Sequence, residues 1–189
     1  MSSILLTAPA VEPLTLAEAK EYLRVDTGDD DDVITALIAG ARVHVEAQTR
    51  RALITQSWRL VRDCWPADGR IAVRPAPLRS VVAARYYDEA NVTHAIDTGA
   101  FVVDTASSML SFAPWSMPVP GRDAAGIEID VSVGYGDAAS AIPEALRQAM
   151  RMLIAHWYEN CGLIAFGQTV AVMPVATAAL IAPFRMLAL

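Results

Sequence analysis

The sequence predicts an α+β fold, a helical core with an inserted β-strand-rich element and an extended apolar C-terminal tail. Three observations predict it. Apolar residues recur at helical spacing near both ends of the chain, the period changes to two between residues 55 and 136, and no charge occurs from Cys161 to Phe184. With 189 residues, 54% hydrophobic and 19% charged, the chain has material for one ordinary core, so 1–189 is read as a single domain.

The first element is announced by Thr15-Leu16-Ala17-Glu18, a capping box in which hydroxyl and carboxylate satisfy each other's backbone donors, before an apolar-spaced run to Leu23. A second helix follows the acidic run Asp29 to Asp32. Its apolar side is Val33, Ile34, Leu37, Ile38, Ala41 and Val45, and Arg42, Glu46 and Arg50 fall on the other side as i,i+4 pairs, to an end near Arg51. The four aspartates do not read as a calcium loop, which needs alternating oxygen ligands, a central Gly and a closing Glu. Capping and the helix dipole account for them, and no metal is expected.

Strands are expected from Thr55, where Trp58, Leu60 and Arg62 alternate with Arg59, Val61 and Asp63 until Pro66 and Asp68-Gly69 turn the chain. Short candidates follow at Ile71 to Val73, Val81 to Tyr87, Phe101 to Asp104 and Met109 to Phe112. In the clearest strand, Ile127, Ile129, Val131, Val133 and Tyr135 share one face and Glu128, Asp130, Ser132 and Gly134 the other, which predicts one buried and one wet face. After Gly136, Pro143 and Glu144 open a third helix that stops at Asn160 to Gly162. Leu146, Met150, Leu153, Ile154 and Trp157 form one apolar stripe, and Ala145, Ala149, Met152 and His156 form a second beside it. A helix apolar on two sides is buried twice, here against its own core and against a neighbouring subunit. The segments are thus a helical core at 15–51 and 143–162, a β-rich insertion at 55–136 and a tail at 163–189.

Composition restricts the function. A net charge of -6 disfavours a general nucleic-acid binder. Cys64 and Cys161 have neither disulfide-framework nor zinc spacing, and the first residues lack the basic start and long apolar region of a secretory signal. The uncharged C-terminal stretch is long enough to raise a membrane-anchored accessory protein as an alternative, but Gly162, Gly167, Pro174 and Pro183 would break a spanning helix. An apolar, Pro-interrupted tail on a soluble protein is expected to dock on a partner or on a neighbouring copy. The three histidines, His44, His94 and His156, make no metal pair, and no nucleophile elbow or phosphate loop occurs, so no enzyme and no cofactor are expected. The surviving enzyme alternative would use His156 or Glu159, with Trp115 and Trp157 as aromatic walls.

Three stretches resemble one family. Leu14 to Val25, followed by the acidic run and Val33 to Ile38, is similar to the opening helix pair of phage head-tail connector (adaptor) proteins of long-tailed phages and related gene transfer agents. Ala47 to Trp58 resembles the family's passage from helix to first strand. The third stretch joins Val133-Gly134-Tyr135-Gly136 to Ile142 to Ala149 and the helix end His156 to Asn160, and it resembles the same family, with Pro183-Phe184-Arg185 as the late Pro-aromatic-Arg triplet.

The resemblance implies a structural virion subunit in the neck, assembled in a bacterial cytoplasm. About a dozen copies would form a ring between the portal protein and a stopper or tail-completion protein, DNA passing through the lumen without sequence-specific binding. The expected portal contacts are Leu180, Ile181, Pro183, Phe184, Arg185 and Leu187. Those between subunits are Ala145, Ala149, Met152 and His156. Glu128 and Asp130 are expected to face solvent or a lumen whose negative charge lets phosphates slide.

Overall fold

A computed structural model describes residues 2–160, 164–165, 168–169 and 173–186. The chain divides into two compact units, Met1–Ala10 with Thr55–Tyr135 and Val11–Ile54 with Gly136–Leu189. The helical segments expected at 15–51 and 143–162 fall in the second unit. The expected β segment falls in the first, together with ten N-terminal residues to which no element had been assigned.

The β unit is built on a five-stranded antiparallel sheet. Its strands are β1 (Ser2–Thr7), β2 (Gln56–Arg62), β4 (Leu78–Tyr87), β5 (Thr93–Ile96) and β8 (Ile127–Val133), in the order β1-β2-β8-β4-β5. A smaller sheet pairs β3 (Arg70–Ala72), β7 (Met109–Ser111) and β6 (Val102–Asp104) in that order. The central strand β8 is the one with the cleanest alternation, and Ile127, Ile129, Val131 and Val133 are all fully buried. Its register sets Ile129 opposite Leu60 of β2 and Ala84 of β4, so three strands contribute to one apolar layer. Trp65, Phe101 and Phe112 form an aromatic cluster, with the Trp65 and Phe112 ring centroids 5.1 Å apart. The Trp65 indole donates to the Pro118 carbonyl at 2.8 Å, which fastens the segment leading into β8.

In the helical unit, α1 (Leu16–Leu23) carries the expected capping box: Thr15 N donates to Glu18 Oε2 at 2.8 Å, and Glu18 N donates to Thr15 Oγ1 at 3.2 Å. The helix α2 (Asp31–Thr49) buries Ile34, Ile38, Ala41, Val45 and Thr49, positions that recur three and four apart. Asp30, its N-cap, makes no side-chain cap; its carboxylate instead accepts the Tyr158 hydroxyl, and Asp31 takes the Lys20 ammonium at 2.6 Å. Part of the acidic run therefore ties α2 to its neighbours rather than capping it. The third helix, α3 (Glu144–Glu159), buries Leu146, Ala149, Met150, Leu153 and Ile154 against α1, α2 and α4 (Val175–Ile181).

The tail is not extended where it is described. Ile164–Ala165 and Gln168–Thr169 pair as two short antiparallel strands, β9 and β10, and α4 follows. Thr177 and Ile181, four apart, are fully buried and pack α4 onto the helical unit. Apolar side chains at helical spacing make a better contact with an adjacent apolar helix than with water, so the segment folds back.

Gly40 sits inside α2, where an added Cβ would lie 3.6 Å from the Trp157 ring, ordinary van der Waals contact. Because glycine costs a helix interior about 1 kcal/mol relative to alanine, Gly40→Ala is expected to stabilise the protein by about that amount. A urea titration against wild type measures it.

Candidate assembly interface

On the polar face of the five-stranded sheet, alternation brings two arginines and two carboxylates together. Arg59 of β2 grips Asp130 of β8 with both arms, Nε to Oδ1 at 2.7 Å and Nη2 to Oδ2 at 3.0 Å, and reaches Glu128 through Nη1 at 3.2 Å. From the other side, Arg85 of β4 donates Nε to Glu128 Oε2 at 2.6 Å and Nη2 to Asp130 Oδ2 at 2.8 Å. Asp130 is buried, and Glu128 is half-buried. Burial works to raise the Asp130 carboxyl, but the Arg59 hydrogen bonds and the charges of Arg85 and Arg59 outweigh it and hold the group below its usual value. The hydrogen bonds that Arg59 donates to the same carboxylate raise its own guanidinium in turn.

These four charges sum to zero. Glu128 and Asp130 therefore do not supply a free negative surface to solvent or to a lumen, as the alternation had suggested. Two cross-strand arginines claim them, a pairing that only the strand order β2-β8-β4 creates.

The lowered carboxyls make stability depend on acid. Asp130 and Glu18 are both held below their ordinary carboxyl values; for Glu18 the Thr15 backbone amide is the largest cause, with the Arg147 guanidinium adding to it. Above those ordinary values both groups are ionised folded and unfolded, and their stabilisation is complete. As the pH falls, the unfolded chain takes up protons first and the stabilisation is lost. The urea midpoint is expected to be flat from about pH 7 to 5 and to fall below about pH 4. Asp130→Asn should flatten that fall.

The expected subunit-contact residues on α3 separate. Ala149 is fully buried in the helical unit's own core, so it is not available to a neighbour; it packs inward with Met150 and Leu153. Ala145, Met152 and His156 are half-buried and keep exposed surface. The His156 carbonyl accepts from Asn160 N at 3.2 Å and Nδ2 at 2.8 Å, closing the helix. Glu159 is exposed.

The expected portal contacts separate as well. Ile181 is fully buried and anchors α4, whereas Leu180 and Phe184 are half-buried and Pro183 and Arg185 exposed; Leu187 lies outside the described residues. The end of the tail is tied to the helical unit by its backbone: Arg51 Nε donates to the Phe184 carbonyl at 2.7 Å and Met186 N to the Thr49 carbonyl at 3.1 Å. Such bonds hold residues 184–186 in place in the free subunit.

Among the described residues no group of three or more His, Cys, Asp or Glu could hold a metal ion. Trp115 belongs to the β unit and Trp157 and His156 to the helical unit, so the two tryptophans do not sit in one compact unit. No described helix is long and apolar enough to cross a membrane.

Exposed apolar side chains mark two further places in the β unit, Trp115 and the run Ile4-Leu5-Leu6 of β1. Trp115 is 88% exposed, and Ile4, Leu5 and Leu6 of β1 are 51%, 43% and 43% exposed. The run Ile4-Leu5-Leu6-Thr7 is a strand signal by composition, but its partner β2 begins about fifty residues later, beyond any local pattern.

A family profile described as phage gp6-like head-tail connector protein matches residues 13–110. The chain is similar to three chains in solved particle structures, each over 100% of its own length and 97% of theirs. One is in the neck of an empty GTA particle computed with C6 symmetry (29% identity, TM-score 0.83). Another is in the virion of a native gene transfer agent (27%, 0.80), and the third in the neck of the native GTA particle computed with C12 symmetry (26%, 0.79). No curated protein matches.

Proposed function

The chain belongs to the phage gp6-like head-tail connector family, and on that premise we propose that it is a structural neck subunit of a phage or gene transfer agent particle. It forms a ring between the portal and the stopper or tail-completion protein and continues the DNA channel. The observation that carries this reading is the likeness, over the whole chain, to chains in particle necks resolved with sixfold and twelvefold symmetry. Cyclic rings need two different patches on each subunit. The half-buried side of α3, with Ala145, Met152 and His156, supports one such patch.

For the portal, the available surface is Leu180, Pro183, Phe184 and Arg185, with Leu187 beyond them. Ile181 serves as the internal anchor that presents them. The net negative charge suits a channel past which phosphates slide. With Glu128 and Asp130 neutralised, the carboxylates that can supply it are exposed ones such as Asp26, Asp29 and Asp32 in and after the α1–α2 connection.

The test is the mass of the purified protein by light scattering, alone and with the portal protein, with rings sought by negative-stain microscopy. Rings formed alone or on the portal are expected. A monomer or dimer indifferent to the portal overturns the reading. Removal of residues 182–189, which leaves α4 intact, is expected to reduce portal attachment at least tenfold; unchanged attachment would remove the tail from the portal interface.

A further inference from the structure

We infer that the two outer strands of the five-stranded sheet are complementary assembly edges, β1 of one copy adding to β5 of the next. This rests on the ring reading and names a contact within it.

The sheet ends in β1 on one side and β5 on the other, and among the described residues neither outer edge has a strand partner. An open edge presents a row of backbone N–H and C=O groups, whose fitting partner is another extended strand. Natural sheets blunt such edges with lysine, proline or inward charge. In β1, Ser2 to Thr7 contains no charge and no proline, and all six residues are exposed. Ser3 is fastened through its side chain, Oγ donating to the Arg74 carbonyl at 3.1 Å, which fixes the strand without using its backbone edge. The pairing of β1 with β2 is regular from Ser2 to Leu5 and shifts only between Leu5 and Thr7. The regular stretch is four residues long, as is β5, Thr93–Ile96, which likewise carries no acidic or basic group other than His94 and no proline.

Symmetry selects the occupant. Two β1 strands pairing with each other would make a twofold contact, closing at a dimer, whereas β1 on β5 is head-to-tail and repeats around a ring. The solved neck structures the chain resembles are cyclic. Ile4, Leu5 and Leu6, left open in the single subunit, would gain cover from the adjoining sheet.

The test uses the full chain. Ile4→Lys with Leu6→Lys places charge on exposed side chains and should leave the thermal midpoint and circular dichroism near wild type while reducing the ring fraction, alone or on the portal, at least tenfold. In a second variant, Ile4→Cys and Ala95→Cys in a Cys64→Ser, Cys161→Ser background, a short thiol cross-linker should give a ladder of multimers from assembled rings. Rings that form equally well with the two lysines, and no ladder from the cysteine pair, overturn this inference and leave the ring reading standing. Wild-type chain that forms no ring with or without portal overturns the ring reading itself.

Discussion

Asp130→Ala is expected to destabilise the β unit by about 3 kcal/mol, toward the lower end of what removing one partner of a buried ion pair costs. The carboxylate accepts both arms of Arg59 and one of Arg85. Without it, two guanidinium groups share Glu128 alone, and the polar face of the sheet's centre carries an unbalanced positive charge. The strands that lose cohesion are β2, β8 and β4, the middle of the sheet. For a unit of this size a loss of 3 kcal/mol lowers the melting temperature by roughly 12 to 24 °C. Asp130→Asn, which keeps an acceptor but not the charge, should cost less than alanine. Replacing Arg59, Arg85, Glu128 and Asp130 together with apolar residues of similar volume should cost less still, because no group is then left buried and unpaired. Chemical denaturation of the three variants orders them, and an alanine variant within 0.5 kcal/mol of wild type would mean that solvent already screens the lattice.

Leu146→Ala is expected to cost about 3 kcal/mol, within the 2–5 kcal/mol measured for such truncations. Leu146 is fully buried on the first turns of α3, the helix that α1, α2 and α4 all pack against. Removing three heavy atoms there leaves a cavity lined by several helices, and helices held from several sides collapse poorly into such a space. Next to it, Arg147 holds α3 to the α1 side, its Nη2 bound to Glu18 and its Nε to the Pro13 carbonyl at 3.3 Å, while its Nη1 bonds Glu144 of the same helix at 3.0 Å. That arrangement limits the relaxation that could fill the void. Leu146→Met, nearly equal in volume, should cost less than 1.5 kcal/mol. A loss below 1 kcal/mol for the alanine variant would show that the helical unit repacks.

Both effects have a bearing on assembly. A neck subunit is held in place by its neighbours, and a change that loosens α3 alters the half-buried side carrying Ala145, Met152 and His156 along with the core. The edge-lysine variant differs in kind, since it touches only exposed side chains. Comparing ring formation across the three sets separates loss of fold from loss of contact.

What the sequence determined by itself was whatever depends on neighbours a few residues apart. The capping box at Thr15 and Glu18, the spacing of Ile34, Ile38, Ala41 and Val45, and the two-residue alternation of β8 are local patterns, and the helices and the central strand follow from them. The family resemblance, carried by three such stretches, led to the connector reading. Tertiary structure decided the rest, because it depends on which distant segments meet. β1 is legible as a strand only once β2 is beside it, and Asp130 is buried only because β2 and β4 bring Arg59 and Arg85 to the same face of β8. Ala149 looked available on a helical wheel, and Ile181 on an uncharged tail. The fold spends both on its own core, since an apolar side chain is stabilised by the nearest apolar surface that excludes water, and in this chain that surface is α2 and α3.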